Sequence, residues 1–351
     1  MLLNSPTIRG FVFKKCLMQA LYCSLWRAEQ TALERDVLVI VFNDDAKANP
    51  SVLNACLNVI RALANLRVSM FPDVIDIIRT TQEAHVILED SNATSVLSLL
   101  QGRQLEVSQA IRLMTAAVNG FTELERIHVV YGCVRPKMLY LTEDQTPFFP
   151  DVTLARFEAG YGHNPPMEFS EGMVPYLAPE QYNDTIDMLD SRTDMYSLAM
   201  TMYALTTGQV PYGALSPHDI LEAKMRQSLP SPQDIVKGFS PSFAQILMRM
   251  AQRNPDDRYP NWDAVRFDLH QLSIGVEIEC PNPAGSTIAP PTGTRSYMRQ
   301  TRSYRRTTQR TRRKEAFRRK TLTWMHWIVT LVFVVGFLLL AVAFVLFAKF
   351  R

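Results

Sequence analysis

The sequence predicts an α+β fold: a small β-rich lobe, a larger helical lobe after it, and one membrane-crossing helix at the C-terminal end. Three observations predict it. Short apolar stretches suited to strands open the chain, at Ile8–Phe13, Leu21–Tyr22 and Val37–Phe42. From Glu106 onward the apolar residues recur at helical spacing. Finally, Thr321 to Ala348 contains no Asp, Glu, Lys or Arg. A chain of 351 residues is long enough for both lobes to bury a core.

The elements follow in order. A helix is expected from about Ser51 to Leu66, where no acidic residue occurs before Met70. Glu106–Leu124 is amphipathic, with Val107, Ala110, Ile111, Met114, Ala117 and Val118 on one stripe. A strongly apolar helix runs from about Met195 to Leu205, with Asp194 at its head, and a turn at Gly208–Pro211 closes it. Further helices are expected at Pro217–Arg226, Pro241–Gln252 and Trp262–Leu272. Residues 276–294 form a flexible linker, rich in Pro, Gly, Ser and Thr from Cys280 to Thr294.

The net charge of +3 conceals a division. Residues 295–320 hold twelve Arg and Lys against the single acid Glu315. Residues 1–294 carry 23 basic and 33 acidic residues, a net of about −10. The basic arm directly precedes the apolar segment 321–348. That segment would extend about 42 Å as a helix, more than the ~30 Å of a bilayer's hydrocarbon core. Trp324 and Trp327 stand where an interfacial aromatic belt belongs, and the arm places the N-terminal side in the cytoplasm. The expected localisation is therefore the membrane, by a single pass. The cysteines (Cys16, Cys23, Cys56, Cys133, Cys280) are odd in number and lack paired spacing, which reads as small buried side chains in a reducing compartment.

Three landmarks carry a family resemblance: Ala178-Pro179-Glu180, then Asp194 opening an apolar helix, then Asn254-Pro255-Asp256-Asp257-Arg258. In this order, they resemble the C-terminal lobe of eukaryotic-type serine/threonine protein kinases. The succession of domain, basic arm and span is similar to the bacterial membrane-bound kinases. The resemblance implies a two-lobed domain over 6–275, with an N-lobe of about 6–90 and a C-lobe of about 91–275. His85–Asp90 would join the lobes. Glu180 and Arg258 would form a buried ion pair, and Asp194 would accept backbone N–H groups of the catalytic loop.

The positions that carry chemistry in the family depart from it. The phosphate-cradling loop would be Lys15-Cys16-Leu17-Met18-Gln19, without a glycine. Ile40 stands where the phosphate-binding lysine belongs, and its glutamate partner is replaced by Asn58 or Val59. His-Arg-Asp of the catalytic loop is replaced by Tyr131-Gly132-Cys133, and the metal-binding Asn by Met138. Cys133 has no His and acid in a recognisable partner motif, so it does not read as a nucleophile. Met173 replaces the usual Thr after Gly172, and the polar stretch Phe157 to Gly172 reads as a surface loop.

Among the positions that carry the chemistry, Asp151, in Asp151-Val152-Thr153, alone keeps the family's acid. It aligns with the Mg²⁺-binding aspartate and is the one candidate cofactor-binding residue. The resulting expectation is a membrane-anchored pseudokinase with no catalytic residues and no required cofactor. It would act on protein partners in a phosphorylation signalling pathway, with its basic arm on anionic lipid and no nucleic acid bound. Two alternatives remain: an atypical kinase using ATP and Mg²⁺ at Asp151, and a chain whose functional part is the lipid-binding arm.

Overall fold

The structure is a computed structural model that describes residues 6–278, apart from 21, 67, 81–83, 151–171, 183–188 and 214–215. The chain divides into a unit Met1–Ser286 and a unit Thr287–Arg351. The second unit, with the basic arm and the apolar segment, lies outside the described residues, as do Asp151 and most of the Phe157–Gly172 stretch. Among the described residues, no helix is long and apolar enough to cross a membrane.

The N-terminal lobe is an antiparallel sheet of five strands in the order β1-β2-β3-β5-β4. The strands are β1 (Phe11–Gln19), β2 (Cys23–Gln30), β3 (Arg35–Phe42), β4 (Val74–Arg79) and β5 (Ala84–Glu89). Alternation along β3 divides its side chains between the two faces. Val37 and Val39 share one face with Ala28 and Ile87, bordered by Phe11, Phe13 and Ile78. Leu38, Ile40 and Phe42 occupy the other face, all at most 2% exposed. Helices α1 (Asp44–Ala48) and α2 (Pro50–Ala64) link β3 to β4, and α2 buries Val52, Leu53, Cys56, Leu57, Val59 and Ile60. Asn49 caps α2 by accepting the Val52 N–H, and Pro50 fits its first turn.

Two N-lobe expectations need correction. Lys15–Gln19 is no loop, because β1 continues through it, paired with β2 and adjusted by irregularities between Phe13 and Lys15 and between Cys16 and Met18. The two-residue strand at Leu21–Tyr22 gives way to β2 from Cys23. Its polar residues Arg27, Glu29 and Gln30 mask two buried sets, Cys23 and Leu25 on one face and Trp26 and Ala28 on the other.

The C-terminal lobe begins with β6 (Thr94–Ser95), α3 (Val96–Leu100) and α4 (Val107–Arg126). A small sheet joins β6 to β7 (Tyr140–Leu141) and β8 (Pro147–Phe148). The α-helices that follow among the described residues are α5 (Ser191–Thr207), α6 (Pro217–Arg226), α7 (Pro232–Ile235), α8 (Pro241–Met250) and α9 (Trp262–Ser273). Helix α5 is the axis, with fourteen of its seventeen residues buried. Its N-cap is Asp190 rather than Asp194, which lies within the first turn, and Gly208 ends it in a left-handed conformation at φ 69°. The half-buried Glu125 carboxylate accepts the Ser191 hydroxyl at 2.5 Å and the Trp262 N–H at 3.2 Å, tying α4 to the starts of α5 and α9. Burial pushes its carboxyl above the usual range.

Candidate functional site

The loop between α4 and β7 carries the candidate site, and the residues around it fix its backbone closely. Asp194, 1% exposed, accepts the Tyr131 N–H at 2.8 Å and the Gly132 N–H at 2.7 Å through its two carboxylate oxygens. One turn along α5, the Ser197 hydroxyl accepts the Val134 N–H at 3.0 Å, and the Thr201 hydroxyl donates to the Val134 carbonyl at 2.9 Å. Gln181 donates to the Gly132 carbonyl and accepts the Ala178 N–H, both at 2.7 Å. Gln181 thereby joins this loop to the segment Gly172–Tyr182. These polar groups satisfy the N–H groups of Tyr131, Gly132 and Val134 and the carbonyls of Gly132 and Val134 in a buried turn.

What the loop holds in place is apolar. The Tyr131 ring, fully buried, packs with Phe71, Phe121, Phe149 and Trp262 in an aromatic cluster whose centroids lie 5.1 to 6.4 Å apart. Gly132 sits at φ 103°, a conformation that an L side chain rarely adopts. Cys133 is 1% exposed and packs in a cluster with Met173, Tyr176, Leu177, Tyr196 and Met200. Met138 is fully buried, with its sulfur 3.9 Å from the Arg135 guanidinium. Burial raises the Tyr176 hydroxyl to about 12, so it stays neutral.

The N-lobe side is equally devoid of phosphate chemistry. Ile40 pairs with Leu25 and Val86 in mid-sheet, 1% exposed. Val59 is buried, while Asn58 is exposed and accepts from Arg61. Lys47 lies beyond β3 on α1, where it meets Asp44 at 2.6 Å. Lys15–Gln19 runs as part of the edge strand β1, paired with β2 on one side, and not as a glycine-rich turn.

Between the lobes, Leu17, Leu38, Ala93, Tyr140, Phe148 and Pro150 close in around an Arg27–Asp90 bridge, leaving a cavity of about 10 Å³. That is room for about one water, whereas small-molecule pockets measure roughly 300–1,000 Å³. Arg27 reaches Asp90 at 2.5 and 3.1 Å, and the Asp90 side chain is 1% exposed. At the family's positions the described residues do not fit a nucleotide with its metal: they offer it no lysine, no glycine loop and no Asn ligand. Asp151 lies outside the described residues.

The structural landmarks come together. Arg258 grips Glu180 with two parallel bonds of 2.7 and 2.8 Å. Its guanidinium also donates to the carbonyls of Arg192, Gln252 and Arg253 and lies over the Tyr196 ring. The Glu180 carboxylate also accepts the Thr193 hydroxyl at 3.0 Å. Ala178-Pro179-Glu180, the head of α5 and Arg258 are thus one buried knot.

The sequence profile of the protein kinase domain matches residues 37–267, about two thirds of the chain. The chain belongs to the protein kinase family. Among curated relatives, a probable serine/threonine-protein kinase of Clostridium perfringens is 21% identical over 74% of this chain and 37% of its own length. The serine/threonine-protein kinase PknB of Mycobacterium leprae is 22% identical over 72% of this chain and 41% of its own. PknL of Mycobacterium tuberculosis is 23% identical over 81% and 72% respectively. The chain thus spans less than half the length of the first two. The crystal structure of the Mycobacterium tuberculosis PknI kinase domain matches with a TM-score of 0.58 at 16% identity, over 77% of this chain and 99% of that one. At that identity the likeness concerns the fold alone. Two features of this kinase domain escaped the sequence reading. Gln181 follows the Ala-Pro-Glu tripeptide in an unremarkable way, and Lys224 looks like an ordinary helix-surface residue until its burial is known.

Proposed function

We propose that this chain is a membrane-anchored pseudokinase that acts by binding protein partners in a phosphorylation signalling pathway. The observation that carries the reading is Cys133. It occupies the place of the general base, lacks a carboxylate, and is 1% exposed beneath Met173, Tyr176 and Leu177. A general base contributes about 10²–10⁴ in rate, and phosphoryl transfer rests otherwise on positioning and charge neutralisation at the γ-phosphate. Ile40, Met138 and the paired Lys15–Gln19 strand supply neither. Anchoring rests on the apolar segment Thr321–Ala348, and the basic arm beside it suits anionic headgroups, worth about 1 kcal/mol per Lys or Arg near the surface.

The test is phosphoryl transfer from ATP by the purified chain beside its Asp151→Asn variant. No transfer above the variant's background is expected. Transfer that Asp151→Asn abolishes would overturn the reading and establish an atypical kinase. Activity surviving that substitution identifies a contaminating kinase and leaves the expected null for the chain itself.

A further inference from the structure

The Met173–Ala178 stretch lies over Cys133 as a cover: Met173, Val174, Leu177 and Ala178 are fully buried and Tyr176 is 7% exposed. Side chains from several elements tie it down. The Lys224 ammonium on α6 donates to the Val174 carbonyl at 2.7 Å and to the Leu177 carbonyl at 2.5 Å. Arg258 and Thr193 hold the Glu180 carboxylate just beyond it. Gln181, 2% exposed, accepts the Ala178 N–H and donates to the Gly132 carbonyl. Of these ties, the one through Gln181 reaches the loop that bears Cys133.

We propose that Gln181 is a standing clamp: its amide holds the Met173–Ala178 cover closed over residue 133 in the unmodified chain, without phosphorylation.

The chemistry of the contact favours a permanent tie over a switched one. Protein kinases order segments of this kind by phosphorylation, when a new phosphate meets an arginine. Here the loop offers Gln181 a backbone carbonyl, which attracts a hydrogen-bond donor and repels an anion. A carboxamide suits that partner, because it brings a donor and an acceptor without a charge and is buried with both in use. The anchor is itself rigid. Gly132 donates its N–H to Asp194 at 2.7 Å and turns through φ 103°, which fixes its carbonyl to the head of α5.

Apolar packing makes the cover move as a unit. Met173, Tyr176, Leu177 and Ala178 share one cluster with Cys133 and with Tyr196 and Met200 of α5. Lifting the cover therefore breaks both bonds of the Gln181 amide and exposes that cluster in one step. The proposal does not depend on whether the chain transfers phosphate, because it is read from the protection of Cys133.

A thiol that is 1% exposed reacts when its cover opens, so Cys133 reports the clamp directly. The full-length chain, treated with phosphatase and checked by mass, is exposed to N-ethylmaleimide, and each cysteine is followed by peptide mass spectrometry. Half-buried Cys16 should label promptly and Cys133 far more slowly. Gln181→Met strands the Gly132 carbonyl and the Ala178 N–H. It should speed labelling of Cys133 roughly 10- to 100-fold, with hydrogen exchange across α4 little changed. Should that variant fail to fold, Gln181→Asn, which keeps the amide but falls one methylene short of Gly132, carries the same expectation. Prompt labelling of Cys133 in the unmodified wild-type chain would overturn the clamp, as would protection that appears only after phosphorylation. Wild-type labelling in the variant, or a gain matched by an equal loss of protection in α4, would overturn it too.

Discussion

At the scale of the residue, the fold keeps the charges that organise it and discards those that would react. Glu180 and Arg258 illustrate the first half. The Arg258 side chain is fully buried and its partner's is 16% exposed, with every guanidinium nitrogen donating. Removing one partner strands the other charge in the interior, which costs about 3–5 kcal/mol. Glu180→Ala and Arg258→Ala are each expected to lower stability by that amount in denaturant titration, whereas Arg226→Ala, an exposed helix pair with Glu222, should change it by less than about 0.5 kcal/mol. Equal losses in all three would refute the knot's structural role. Tyr131, Cys133 and Met138 illustrate the second half, since apolar packing occupies positions that elsewhere hold a catalytic histidine, base and metal ligand.

The elements show how much of this was legible beforehand. Helix α6 begins and ends where the sequence puts it, because Ser216 and Pro217 mark its start unambiguously. Helix α9 likewise starts at Trp262 after the Asn261 cap. Strands were read less well. Val74–Arg79 was missed because Asp76 and Arg79 interrupt its apolar pattern, and β1 was cut short at Phe13 since two lysines follow. That error bears on function. A glycine-free loop and a continuous strand both lack a phosphate cradle, but only the strand commits the backbone to a neighbour. The Lys224 contact was illegible for another reason: its carbonyl partners lie about fifty residues upstream and carry no side-chain signature.

For the molecule as a whole, an Arg27–Asp90 bridge lies where the N-lobe sheet meets the C-lobe residues Tyr140 and Phe148. The chain's other large-scale feature is the basic arm ahead of Thr321–Ala348. The excess of Arg and Lys on that side predicts an N-terminal domain in the cytoplasm and a C-terminus across the membrane. A compartment-sensitive reporter fused after Arg351 should report the far side, and cytoplasmic activity of that reporter would reject this topology.

The most direct measurement of the central claim, a kinase fold kept without its nucleotide chemistry, is binding of ATP to the full-length chain with and without Mg²⁺. Ligand at a hundred times its Kd stabilises a native state by about 2.7 kcal/mol, an easily measured rise in melting temperature. The account predicts no shift with millimolar ATP in either condition and no binding heat in calorimetry. A saturable, Mg²⁺-dependent shift that Asp151→Asn removes would contradict it.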